Sequence, residues 1–105
     1  MKEVLRSGDD CLDVIAEAFT AGEDLVVLPV ERLDDSFFQL KTGVAGDIVQ
    51  KFVNYRMRLA IIGDISQHVE TSSAFRDFVT ESNRGRQLWF LPDMEALEAR
   101  TTGRS

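Results

Sequence analysis

Apolar residues in this chain alternate between short unbroken runs and helical spacing. The runs are Leu25 to Leu28, Leu59 to Ile62 and Leu88 to Leu91. Each is too short for a helix and apolar at every position, the pattern of a strand buried on both faces. Pro29 ends the first, Gly63 and Asp64 follow the second, and Pro92 follows the third. The middle run is expected at the centre of the sheet. Before the first run, Ser7, Gly8, Asp9 and Asp10 offer helix caps, and Leu12, Ile15, Ala16 and Phe19 repeat at helical intervals up to about Ala21, with a stop at Gly22. Met1 to Leu5 reads as an additional short strand.

Between the first two runs, Asp34 and Asp35 cap one or two helical turns within Leu33 to Leu40 that turn Phe37 and Phe38 inward. After a break at Gly43, Val44, Ile48, Phe52 and Tyr55 form a stripe that Ala45, Val49 and Val53 broaden, which predicts the most buried helix. Ile65 to Glu70 reads as a loop. Thr71, Ser72 and Ser73 then offer caps for a helix that buries Phe75, Phe78, Val79 and Ser82, with Gly85 as a left-handed terminus. Pro92 and Asp93 open a last helix through Met94 and Leu97, and residues 1–3 and 101–105 are expected to fray. Strands alternating with helices imply parallel pairing and crossovers of one hand. The expected fold is one α/β domain over residues 1–105, with a three- or four-stranded, mainly parallel sheet and about five helices.

Composition narrows the function classes. The 105 residues are 44% hydrophobic and 29% charged, within the range of an ordinary globular domain. No apolar run approaches the roughly 20 residues that span a bilayer, and the start lacks a signal-peptide layout, so a cytoplasmic protein without membrane contact is expected. The single cysteine, Cys11, suits a reducing compartment. The net charge of −6 is uneven: residues 1 to 40 carry three basic and ten acidic side chains, residues 41 to 105 nine and eight. An acidic chain without a basic tract argues against nucleic-acid binding.

Three ordered motifs carry a family resemblance: FFQLKTGVAGDIVQKFVNYR at Phe37 to Arg56, LAIIGDIS at Leu59 to Ser66, and FRDFVTESNRG at Phe75 to Gly85. Together they resemble domain-of-unknown-function family 4180. The resemblance implies a small bacterial α/β protein similar in arrangement to the STAS-type domains of sulfate transporters and anti-sigma-factor antagonists, and it brings no established activity. By the same analogy Ser66, just past a buried strand, stands where such proteins carry a phosphorylated serine; helix capping is the competing role for Ser66, Ser72 and Ser73.

Catalytic chemistry finds little support. Gly43 and Gly46 match neither GxGxxG nor GxxxxGK[ST], and close helix packing accounts for Gly46 equally well. Asp64, His68 and Glu70 lack the second histidine or cysteine of a metal site, so neither a metal nor a cofactor is expected. His68 has no evident nucleophile beside it. More promising are Asn54, Tyr55 and Arg56 with Glu81, Asn83 and Arg84, which end helices feeding parallel strands and should gather at the amino-terminal edge of the sheet. They would either cap helix ends, pairing Arg56 with Glu81, or receive a protein partner or small anion.

The leading expectation is therefore a noncatalytic interaction or regulatory module, with room for a homodimer. The alternative is a small-molecule-binding protein or enzyme with a cleft at the carboxyl ends of the strands, lined by Thr42, Asp64, Ser66 and Ser73.

Overall fold

In the computed structural model, which describes residues 4–102, the three apolar runs become β1 (Leu25–Pro29), β2 (Arg58–Ile62) and β3 (Leu88–Leu91). They form one parallel sheet in the order β1-β2-β3, with Val26 beside Leu59 and Ile61 beside Phe90. Five helices accompany it: α1 (Leu12–Thr20), α2 (Val44–Asn54), α3 (Ser66–Thr71), α4 (Ser73–Arg84) and α5 (Met94–Thr101).

Strand order decides where the helices go. When parallel strands follow one another in sequence across a sheet, crossovers of one hand put every connecting helix on the same face. On that face Val26, Leu28, Leu59, Ile61, Leu88 and Phe90 meet Ile15 of α1, Ile48 and Phe52 of α2, and Phe75 of α4. The short 3-10 turn Asp35–Phe38 adds Phe37 and Phe38, so Phe37, Phe38, Phe75, Phe78 and Phe90 form a chain of edge-on and tilted rings. Gly8 lets the chain before α1 lie against α2: a Cβ there would come within 2.9 Å of the Asp47 carbonyl oxygen, and its N–H donates to the Asp47 carboxylate at 2.7 Å.

Among the described residues, the opposite face is covered by α5. Leu97 packs on Ala60, Trp89 and Leu91, while Arg100 and Arg58 approach the Trp89 ring with guanidinium carbons 4.3 and 5.6 Å from its centre. This cover does not extend fully across β1, whose residues alternate between buried Val26 and Leu28 and exposed Val27 and Pro29. The expectation that all three runs are buried on both faces is thus met by β3 and corrected at β1.

Other local expectations change for physical reasons. Ile65 to Glu70 is not a loop, because Asp64 accepts the Ser66 N–H at 2.9 Å and Ile65 and Val69 pack on the core, which starts α3. Gly85 is extended (φ −97°, ψ −158°) rather than left-handed, and its carbonyl accepts the Trp89 indole N–H at 2.8 Å. Gly46 has open space where a side chain would stand, so close packing does not explain it. Of the Met1 to Leu5 strand, residues 1–3 lie outside the described residues, and Leu5 makes a single parallel bridge to Leu33. At the other end Thr101 closes α5, and residues 103–105 are likewise outside the description.

The outer face of α1 and the carboxyl-end cleft

The polar residues expected to gather at the amino-terminal edge have separate contacts. Asn83 serves β3: its amide donates to the Phe90 carbonyl at 3.2 Å and accepts the Phe90 N–H at 2.8 Å. Its own carbonyl accepts from Arg100 at 3.0 Å. Glu81 pairs with Arg84 one turn along α4 at 3.3 Å, so the expected partnership of Glu81 with Arg56 is replaced by a local one. Asn54 accepts from Gln50 in the preceding turn. Arg56 occupies the left-handed position after α2 (φ 57°), closed by bonds from its own N–H to Val53 and from Met57 N–H to Phe52. This is a Schellman ending with an exposed arginine where glycine is usual. Tyr55, 52% exposed, turns toward α1.

At the carboxyl ends of the strands, Gly63, Asp64, Ile65, Ser66, Phe90 and Pro92 border a cleft of about 360 Å³. Asp64 and Ser66 are therefore together as expected, whereas Thr42 and Ser73 are elsewhere. Thr42 bonds the Ser36 and Gln39 carbonyls in its own loop, and Ser73 opens α4 beside the capping Ser72. Hydrogen bonds from the Ser66 backbone and hydroxyl hold Asp64 below the usual carboxylate range. His68 stacks face to face on Phe38, with ring centres 3.9 Å apart. Among the described residues no three histidine, cysteine or acidic side chains gather as a metal site would require. Burial pushes the Cys11 thiol up to about 11, which leaves it a neutral core side chain at neutral pH.

The surface that the sequence reading misassigned is α1. Ile15 of the expected stripe is buried, but its companions face water: Leu12 is 37% exposed, Phe19 76%, and Ala16 lies between them. The buried side of α1 instead uses Cys11, Ile15 and Ala18, with Val14 half-buried. Leu12, Ala16, Phe19 and Tyr55 border a groove of about 520 Å³ rimmed by Asp13. The three large side chains leave on the order of 300 Å² open to water, given roughly 150 to 250 Å² for a whole aromatic side chain. That approaches the largest patch of a typical monomer, which is often functional. The signal was present in the sequence as two overlapping apolar stripes on one short helix, of which a single sheet face buries only one.

These features define a small α/β domain with a three-stranded parallel sheet and helices crowded on one face. The chain belongs to the family described as Domain of unknown function (DUF4180), whose profile matches residues 1–101. No curated protein and no solved structure matches it. No helix among the described residues is long and apolar enough to cross a membrane.

Proposed function

We propose that this domain is a noncatalytic, cytoplasmic protein-interaction module that meets its partner through the outer face of α1, with Phe19 as the anchor. The observation that carries this reading is the 76% exposure of a phenylalanine that lines an apolar groove. A ring left in water gains from burial at about 25 cal/mol per Å², and aromatic anchors seated in pockets dominate protein interfaces. The acidic rim, with Asp13 beside the groove and Glu17 on the next turn, favours a partner that brings lysine or arginine around an apolar centre. The area is well under the roughly 800 Å² per partner of a standard interface, which favours a peptide-sized contact over a stable homodimer.

Carboxyl-end binding of a small molecule is the second reading, supported by the cleft at Asp64 and Ser66 where open α/β sheets hold ligands. A STAS-type switch at Ser66 would place a phosphate against the Asp64 carboxylate, a repulsion that would have to open the turn for the switch to work.

Replacing Phe19 by the photocrosslinker benzoylphenylalanine tests the leading reading, with the same substitution at exposed Asp77 on α4 as control. Discrete protein adducts at position 19, absent at 77 and lost when Ala16→Glu is added, are expected. Equal labelling at both positions would refute it.

A further inference from the structure

We infer that the outer edge of β1 accepts an extended, basic segment of another protein as a fourth strand, independently of the α1 groove. Backbone direction supplies the first argument. Arg58 N–H bonds the Asp24 carbonyl and Leu25 is in register with Arg58, so residues 24, 26 and 28 address β2. Leu25 and Val27 therefore aim their N–H and C=O groups away from the sheet, and no hydrogen bond from another described residue reaches them. Pro29 also faces outward but has no N–H, which limits the ladder to Leu25 and Val27 with one further acceptor.

The other edge is treated differently. Phe90 is the outward-facing residue at the middle of β3, and Asn83 occupies both of its backbone groups. Among the described residues, one edge of the sheet is closed by a side-chain amide and the other is left open. An unpaired edge is a template for strand addition unless charge, proline or covering chain blunts it. Here Val27 is 38% exposed beside that edge, and the groove between β1 and α1 is floored by Val14, Ala18 and Ala21.

Charge identifies the occupant. Among the described residues, the charged side chains that line this groove are Glu17 and Glu23. A second copy would bring the same carboxylates against each other on chains that each carry −6, so self-pairing is disfavoured. A partner strand with lysine or arginine next to β-branched residues meets both the acidic lining and the apolar floor.

The probe is an acetylated, amidated octapeptide of alternating valine and lysine, titrated into the 15N-labelled chain at low salt. Binding should shift the Leu25 and Val27 amides and slow their hydrogen exchange. Affinity should fall at least tenfold for the same peptide with glutamate in place of lysine, and at least tenfold for a version N-methylated at its four central residues, which keeps the side chains but cannot form the ladder. Val27→Pro removes an outward N–H that β2 does not use, so it should abolish the shifts while the protein still melts cooperatively. Phe19→Ser should leave peptide binding unchanged, which separates this site from the α1 groove. The inference is overturned if the peptide produces no shifts, if the N-methylated peptide binds equally well, or if the shifts lie away from β1. It is also overturned if sedimentation shows a dimer that Val27→Pro dissolves, which would make the occupant a second copy. Should Val27→Pro fail to fold, the N-methylated peptide and the wild-type exchange rates decide the question alone.

Discussion

Asn83→Ala should be the most costly polar substitution in the domain. The Asn83 amide is the only hydrogen-bond partner among the described residues for the outward N–H and C=O of Phe90, at 2.8 and 3.2 Å. Phe90 is 5% exposed, so water cannot readily replace the lost groups. Each bond contributes about 1 kcal/mol net, and a buried backbone group left without a partner costs about 1 to 3 kcal/mol, with the higher figure reached only where water is excluded. A loss of about 2 to 3 kcal/mol is therefore expected. For a domain near 100 residues this corresponds to a fall in Tm of roughly 10 to 20 °C. Urea denaturation followed by circular dichroism measures it. Asn83→Leu, which restores bulk without the amide, should not recover the stability. A change below about 0.5 kcal/mol for Asn83→Ala, or recovery with leucine, would show that the amide does not secure the edge and would free Asn83 for the partner-binding role considered from the sequence.

Arg56→Gly should raise stability by up to about 1 kcal/mol, since glycine adopts the left-handed conformation at φ 57° without the Cβ penalty; a loss of stability in the same denaturation assay would refute this. Ile61→Asp, which puts an unpaired carboxyl at a core position 1% exposed in the central strand, should abolish cooperative unfolding; a soluble variant with a sharp melt would contradict the strand assignment. Asp34 and Asp64 are both held below the usual carboxylate range by hydrogen bonds from Ser36 and Ser66 respectively. A carboxyl depressed in the folded state adds stability above its unfolded value and loses it as pH falls through the folded value. The double variant Asp34→Asn, Asp64→Asn should therefore lose less stability than the native chain between pH 5 and strongly acidic solution, as measured by Tm against pH; parallel curves would refute it.

Much of the fold is legible because its signals are local. A run such as Leu59 to Ile62 has no polar face to give to water, so it must be a covered strand, and it lies at the centre of the sheet. Asp93 and Ser72 cap the helices that follow them, at 2.9 and 3.1 Å, because a short oxygen side chain before an apolar stripe satisfies the first free N–H groups wherever the helix later packs. Phe37 and Phe38 turn inward for the same kind of reason: two adjacent aromatics in a short segment have no other means of leaving water.

The candidate sites were less legible because they depend on which of several equivalent local choices the assembled sheet rewards. Asn83 looked like a surface cap, and only the placement of β3 at the sheet edge gives its amide the Phe90 backbone to bind. Glu81 had two arginines within its reach by topology, and the one a turn away on α4 takes it because that pairing needs no ordering of a second helix. In α1 the sequence supplies two apolar stripes, and a helix can lay only one against a sheet. Residue periodicity by itself therefore determined the three strands, their parallel pairing and the longer helices α2 and α4 between them, whereas α3 was decided by the packing of Ile65 and Val69 on the core. Tertiary packing decided that Cys11, Ile15 and Ala18 go inward and Phe19 stays in water, because the sheet's crowded face has room for a single side of that helix.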